Sequence, residues 1–256
     1  MQRRSLIGSL GGICCGPALA VPDDDARPFV FAMSRFEWEF IGLWERLIWR
    51  DAFARLGREV RFVDYPAARA RVELERGEVD GEGGRPLHYG DGSTNMLRLR
   101  VPLFDVTHVA FAPRAALPRI SGWDSLKAFE GQVCYKAGVT AVSGRLAGLV
   151  PPDRMSPLAD AAHGLRMLAL RRCALYIDEE TTILAALVDK TPAELPVAEA
   201  GVLGTSVVYG YVHRRHAALA ERLGDVLAQM QARGLIERHR RDAEAQLRID
   251  AARWRL

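Results

Sequence analysis

The chain lacks most of the short motifs that mark enzymes and nucleic-acid-binding proteins. Its 256 residues contain no P-loop, no dinucleotide-binding glycine motif, no His-Glu-x-x-His metal motif and no Gly-x-Ser-x-Gly nucleophile elbow. The formal net charge is only +3, and no basic face or tail is present, which argues against a nucleic-acid partner. No hydrophobic run beyond the first twenty residues is long enough to span a bilayer, and no cofactor or metal ion is expected.

Residues 1–20 have the pattern of a secretory signal peptide. Arg3 and Arg4 are followed by an apolar stretch from Leu6 to Cys15 and by the cleavage signal Ala18-Leu19-Ala20. The sequence therefore predicts a soluble protein that is exported to the periplasm and cleaved near Ala20, leaving a formal charge of +1. The alternative is that this stretch forms a buried N-terminal helix.

Cysteine is scarce, and only Cys134 and Cys173 remain after the predicted cleavage. An oxidising compartment permits a disulfide, and both residues lie in predicted strands a few positions before a polar loop. They can pair if those strands are neighbours. They can equally be two buried thiols that act as small apolar residues.

Two similar segments end on opposite charges. The segment from Leu74 to Arg85 and the segment from Leu168 to Asp178 each predict the end of a helix, a short strand and then a charged residue. Ligands of open α/β sheets bind beyond the carboxyl ends of the strands. A guanidinium facing a carboxylate across such a site could bind a zwitterion such as an amino acid.

The order of predicted elements indicates two α/β units. The first has strands at 29–33, 59–63 and around Val79, separated by helices over 40–56 and 67–76. Two further strands, 97–101 and 106–111, lead to a second unit, with strands at 132–135 and 173–177. A strand at 207–212 and helices over 217–233 and 235–247 complete the chain. Alternating strands and helices predict mainly parallel sheets with helices on both faces.

These segments resemble the family 3 extracellular solute-binding proteins, the amino-acid-binding type of bacterial periplasmic receptor. The resemblance rests on the Gly-x-Val-Asp segment at 77–80, on Trp123-Asp124-Ser125-Leu126-Lys127 followed by Gly131-Gln132-Val133, and on the closing pattern that ends at Gly234-Leu235-Ile236. It covers nearly all of the mature chain.

The resemblance implies a two-lobed periplasmic-binding-protein fold with two crossovers at the hinge. Residues 21–110 and 207–256 would form lobe 1, and residues 111–206 would form lobe 2. The crossovers would fall near 110–113 and 205–208, and the lobes would close on a ligand by hinge motion.

The resemblance also implies roles for particular residues. Asp178 matches the position that meets a ligand's amino group, although it could instead cap the helix that follows. Gly138 and Thr140 are similar to the family's Gly-Thr loop, which contacts an anion. Arg85 lies earlier than the usual carboxylate-binding arginine, and the Thr-rich segment that normally precedes that arginine is absent, so Arg98 and Arg100 compete for the role.

Three residues after the first strand are further candidates. In the family this segment places an aromatic side chain over the ligand, and Trp38 could do so here, with Phe36 and Glu39 beside it. The alternative is that these aromatic side chains belong to the core.

The functional prediction is a monomeric solute-binding protein, not an enzyme, that delivers a small polar solute to a membrane permease or a sensor. One alternative is a periplasmic enzyme of the same fold, similar to cyclohexadienyl dehydratases, in which Glu82, Asp178 or Glu179 acts as an acid. Another is a degenerate receptor that acts through a protein partner.

Overall fold

The first half of the chain forms parallel strands that alternate with helices. The computed structural model describes residues 27–249, so the predicted signal peptide lies outside the described residues. The elements are β1 (Phe29–Met33), α1 (Phe40–Arg55), β2 (Val60–Asp64), α2 (Ala67–Arg76) and β3 (Gly81–Pro86). Strand β1 pairs in parallel with both β2 and β3. Gly77 ends α2 in the left-handed conformation, with φ of 74°, and β3 begins after Val79 rather than around it.

Two long antiparallel strands cross the whole molecule. They are β4 (Met96–Pro113) and β8 (Val197–His213), which pair along almost their entire length. The sequence predicted two strands in place of β4, because the alternation of apolar residues is interrupted near Pro102. The register of the pairing shifts at that point, and the ladder then continues.

The second half repeats the parallel pattern. Its elements are β5 (Val133–Lys136), α3 (Thr140–Leu146), β6 (Met155–Leu158), α4 (Ala161–Ala169), β7 (Leu175–Glu179) and α5 (Glu180–Ala186). Strand β5 pairs in parallel with β6 and β7. The helices α6 (Ala217–Ala232) and α7 (Leu235–Leu247) follow β8, and Gly234 separates them with φ of 66°.

The eight strands form one sheet in the order β2-β1-β3-β8-β4-β7-β5-β6. Strand β3 pairs with the end of β8, and β7 pairs with the part of β4 from His108 to Phe111. The two long strands therefore join a β1–β3 half to a β5–β7 half. Each half has apolar cores formed with its helices. No helix within residues 27–249 combines the length and the hydropathy that a membrane span requires.

A disulfide joins Cys134 to Cys173 within the β5–β7 half. Cys134 lies in β5, and Cys173 lies two residues before the neighbouring β7, with the two Cα atoms 5.9 Å apart. Both cysteines are buried. In the structure the two cysteines are therefore bonded rather than two separate thiols, although the register sets Cys134 opposite Tyr176 and leaves Cys173 just before the ladder.

Candidate functional site

A cavity of about 480 Å³ lies where the carboxyl ends of parallel strands from both halves meet. The loop after β1 and the end of β3 form one wall, and the end of β7 and the loop after β5 form the other. Its polar and aromatic lining residues are Ser34, Arg35, Phe36, Trp38, Glu39, Arg85, His108, Lys136, Asp160, Glu179 and Ser206. This is the position at which open α/β sheets bind ligands.

Two ion pairs connect the halves across the cavity. Arg35, in the loop after β1, places its Nη2 2.5 Å from Glu179 Oε1 at the end of β7. Lys136, at the end of β5, places its Nζ 3.4 Å from Glu39 Oε1. Each pair therefore joins a residue of the β1–β3 half to one of the β5–β7 half.

Burial and pairing fix the charges of the first pair. Burial by itself lowers the pKa of Arg35. The nearby carboxylates of Glu179 and Glu45 raise this pKa by more than burial lowers it, so that it lies above its usual value. Burial raises the pKa of Glu179, but the Arg35 guanidinium outweighs this and holds it below the usual range. Both side chains are therefore ionised at neutral pH.

Arg85 lines the cavity, as expected for the residue near the end of β3. Its guanidinium forms an ion pair with the buried Glu82 and lies over the ring of Tyr89, 5.0 Å from the ring centroid. Tyr89 donates a hydrogen bond of 2.6 Å to Glu82. The competing arginines lie elsewhere. Arg98 donates to the carbonyl of Leu87, and Arg100 forms an ion pair with Asp225.

Asp178 does not line the cavity, which corrects the sequence-based expectation. Its side chain is 0% exposed and accepts hydrogen bonds from the Tyr176 hydroxyl (2.7 Å) and the Glu179 backbone N–H (2.8 Å). Successive residues of a strand point to opposite faces of the sheet, and Glu179 is the one that faces the cavity. The expected pairing of Arg85 with Asp178 across a shared site is therefore wrong.

The aromatic residues after β1 lie at the rim of the cavity rather than in the core. The rings of Phe36 and Trp38 stack with centroids 4.4 Å apart and planes 5° from parallel. Trp38 is 70% exposed, and both residues line the cavity together with Glu39. Glu39 accepts a hydrogen bond of 2.9 Å from the Phe36 backbone N–H, which holds this segment in place.

The loop after β5 forms part of the opposite wall. Gly138 has φ of 83°, a conformation that favours glycine, and it lines the cavity between Ala137 and Val139. Thr140 is the first residue of α3. The placement of its side chain lies outside the described part of the chain, so its expected contact with an anion stays a prediction.

Sequence reasoning missed a polar pair on the two long strands. His108 of β4 and Ser206 of β8 both line the cavity, and Nε2 lies 3.0 Å from the serine Oγ. The imidazole is 2% exposed, and burial lowers its pKa despite the nearby Glu179, so the ring is neutral near pH 7. The sequence feature that could have revealed this pair is the presence of a histidine inside the mostly apolar stretch 106–111.

The described part of the chain holds no cluster of three or more histidine, cysteine, aspartate or glutamate side chains that could bind a metal ion. The cavity is lined by charged and aromatic side chains. It offers guanidinium and ammonium groups for an anion, carboxylates for a cation and aromatic faces for an apolar part.

No protein-family profile matches the chain. A protein of Shewanella oneidensis, described as an uncharacterized protein, is 33% identical over 204 residues, which cover 79% of this chain and 76% of the relative.

Solved structures share the fold at low sequence identity. The GluR0 ligand-binding core in complex with L-glutamate has a TM-score of 0.70 at 11% identity, covering 85% of this chain and 98% of that one. A histidine kinase sensor domain with similarity to periplasmic binding proteins has a TM-score of 0.67 at 19% identity, covering 86% and 96%. The amino acid ABC transporter substrate-binding protein AbpA of Streptococcus pneumoniae, bound to L-arginine, has a TM-score of 0.64 at 12% identity, covering 87% and 96%.

These structures are ligand-binding and sensor proteins with two lobes, and the sequence motifs had predicted their fold. The chain therefore belongs to one family with the S. oneidensis protein and has the two-lobed fold of the family 3 extracellular solute-binding proteins.

Proposed function

We propose that the protein binds a small polar solute, an amino acid or a related organic acid, in the cavity between its two halves. The observation that carries this proposal is the Arg35–Glu179 ion pair. It places two opposite charges from different halves 2.5 Å apart inside the cavity, with the Glu179 carboxylate buried and the Arg35 guanidinium partly exposed. In this structure the two groups neutralise each other, and a zwitterion that binds between them would supply an opposite charge to each.

The charges that line the cavity favour a ligand that carries both signs. Three cationic and three acidic side chains line it, namely Arg35, Arg85, Lys136, Glu39, Asp160 and Glu179. In our proposal the ligand's carboxylate binds Arg35 and Arg85, and its ammonium group binds Glu179 in place of Asp178. Phe36 and Trp38 cover the ligand. Because Gly138 has no side chain, the protein backbone at this position can approach the ligand closely.

We further propose that the two halves act as lobes that close on the ligand. Within the described residues, lobe 1 would comprise 27–110 and 207–249, and lobe 2 would comprise 111–206. The remaining positions of the predicted lobe 1, 21–26 and 250–256, lie outside the described residues. The hinge would then fall in the paired strands β4 and β8, which connect the halves. The Arg35–Glu179 and Lys136–Glu39 contacts, which already join the halves in this structure, would separate when the lobes open.

The partner in this proposal is a membrane permease or a sensor that recognises the closed form. An ABC transporter substrate-binding protein and a histidine kinase sensor domain are both similar in fold, which supports these two partner classes. The proposal places the protein in the periplasm as a monomer after removal of residues 1–20.

A thermal-shift screen followed by calorimetry tests the proposal. The ligands are the L-amino acids, dicarboxylates and aromatic acids. A ligand at about one hundred times its Kd stabilises the folded state by about 2.7 kcal/mol, which is readily measured. If no compound in the panel raises the unfolding temperature, the result would contradict binding and favour the degenerate receptor. Consumption of a stabilising compound would favour the enzyme.

Matched variants then test the site. Glu179→Gln keeps the shape of the side chain but removes its charge, so we expect its Kd to rise by about tenfold or more. Arg100→Gln is the control, because Arg100 forms its ion pair with Asp225 outside the cavity. Equal affinity of Glu179→Gln and the wild type would remove Glu179 from the proposed site.

A further inference from the structure

Glu45 is a buried acid directly behind the cavity wall. It lies in α1, is 2% exposed and packs against the backbone of Gly83 and Gly84 in β3. A Cβ atom at Gly84 would overlap the Glu45 carboxylate, so only glycine allows the strand to pass so close. The arrangement holds a carboxylate in the interior, where charges are costly unless they are paired.

The Glu45 carboxylate has an incomplete set of partners. Its Oε1 is buried and accepts no hydrogen bond, but it lies 3.6 Å from Arg35 Nη1, close enough for an ion pair. The same Nη1 donates to the Gly84 carbonyl at 3.2 Å. The other guanidinium nitrogen, Nη2, binds Glu179. The Arg35 guanidinium is therefore flanked by Glu45 behind it and by Glu179 in front of it.

The two carboxylates differ in the half of the molecule to which they belong. Glu45 and Arg35 are both in the β1–β3 half, whereas Glu179 ends β7 in the other half. Separation of the halves would take Glu179 away from Arg35. The ammonium group of a bound ligand would also compete for Glu179. In both situations Glu45 stays next to the guanidinium.

We propose that Glu45 is a positioning residue that holds the Arg35 guanidinium at the cavity wall for the ligand's carboxylate. The inference rests on the proposed function, because it assigns Arg35 a ligand contact. Glu45 acts through Arg35 and does not itself line the cavity. Its ionised form provides the attraction, so the ability to hold Arg35 depends on its protonation state.

The surroundings of Glu45 place that protonation near neutral pH. Burial raises its pKa to about 7, with the charges of Arg35 and Arg85 opposing the shift and Glu179 adding to it. Arg46, on the same helix, also opposes it. Ligand affinity should therefore increase as the pH rises through about 7, because the ionised fraction of Glu45 increases. Two other titrating groups lie near the Arg35–Glu179 pair: burial lowers the pKa of His108, and burial together with the charge of Glu179 raises the pKa of Asp178 to about 7.

The first test measures Kd by calorimetry for the tightest-binding member of the L-amino acid and dicarboxylate panel. We expect the wild-type Kd to fall several-fold between about pH 6 and about pH 8. Glu45→Gln should raise the Kd at about pH 8 by about tenfold and make it independent of pH. Glu221→Gln is the matched control and should keep the wild-type dependence, because the exposed Glu221 pairs with Arg100 away from the cavity. Burial and the charge of Glu179 also raise the pKa of Asp178 to about 7, so the comparison is repeated in an Asp178→Asn background, where the pH dependence that remains belongs to Glu45.

The second test needs no ligand. Titration of ¹³C-labelled glutamate side chains by NMR should show one carboxyl with a pKa near 7 that disappears in Glu45→Gln. Arg35→Gln should raise that pKa, because the opposing positive charge is removed. The pKa measured in Arg35→Gln also tests the contact between Glu45 and Arg35 if the Glu45→Gln variant does not fold.

The outcomes separate the two proposals. If the wild type binds a ligand but Glu45→Gln has the same Kd and pH profile, the role of Glu45 is wrong and the proposed function stands. An unchanged pKa in Arg35→Gln would likewise overturn the positioning role. If the wild type binds nothing in the panel, both proposals fail.

Discussion

Asp178 and Glu179 are neighbours in the chain, yet their carboxyl groups lie on opposite faces of β7. Asp178 is enclosed with the hydroxyl of Tyr176, whereas Glu179 faces the cavity and pairs with Arg35. The two positions therefore have different consequences. Substitution of Glu179 should change binding, and substitution of Asp178 should change stability.

Asp178→Asn should gain stability relative to the wild type as the pH rises from about 4.5 to about 7. Burial, together with the neighbouring charge of Glu179, raises the pKa of Asp178 to about 7, whereas its usual value is 3.8. Between these values the folded wild type holds a proton that the unfolded chain has lost, so its stability falls with rising pH. Asparagine carries no such proton. The difference in unfolding free energy should change by on the order of 1 kcal/mol per pH unit.

Urea unfolding of both proteins at several pH values measures this difference. Other titrating groups, such as Asp80 and His108, are shared by the two proteins and cancel in the comparison. A constant difference over this range would show that Asp178 is ionised in the folded protein.

Trp38→Ala should weaken ligand binding by about two- to tenfold without lowering the thermal midpoint. The side chain is 70% exposed and, among the described aromatic rings, stacks on that of Phe36 alone, so little of the folded core depends on it. Isothermal calorimetry and thermal unfolding provide the two readouts. Leu170→Ala is the control, because Leu170 is also exposed but lies away from the cavity. A large loss of stability in Trp38→Ala would mean that this residue serves packing.

Gly84→Ala should destabilise the protein more than Gly92→Ala. Both glycines have positive φ, 46° and 79°, so alanine costs about 1 kcal/mol at either position. At Gly84 the added methyl group also meets the Glu45 carboxylate, whereas nothing lies within 4 Å of it at Gly92. Urea unfolding of the two variants gives the comparison. Equal losses would show that the Glu45 side chain can move aside.

Removal of the disulfide should lower the free energy of unfolding by roughly 4 kcal/mol. Cys134 and Cys173 are 39 residues apart, and a cross-link of that length restricts the unfolded chain considerably. The double variant Cys134→Ala, Cys173→Ala should unfold at lower urea concentration than the oxidised wild type. Dithiothreitol should reduce the stability of the wild type but not of the variant. Equal stability of the variant and the oxidised protein would contradict the prediction.

The parallel arrangement and the edge of the sheet that carries the cavity could be predicted from local sequence. Helix α2 spans 67–76 and strand β1 spans 29–33 in both the prediction and the structure, because each has a clear apolar pattern and a terminating signal. Arg85, Trp38, Phe36, Glu39 and Gly138 all line the cavity, since residues at the carboxyl ends of parallel strands meet at one edge, while their contact with a ligand stays a prediction.

The error at Asp178 has a simple physical origin. The sequence prediction ended the strand at Ile177, but β7 continues to Glu179. Side chains alternate between the two faces of a strand, so placing the functional position one residue too early selects the wrong face. The short strand β6 was missed because Met155-Ser156-Pro157-Leu158 has too little apolar patterning.

The sequence by itself determined the alternation of strands and helices, the family resemblance and the placement of charged residues after strands, because these depend on neighbours close in the chain. Only the tertiary structure decided which charges meet. Arg35 and Glu179 are 144 residues apart, and Glu45 reaches the same guanidinium from a helix on another layer. Contacts of this kind follow from the packing of β4 and β8 between the halves, which no local pattern encodes.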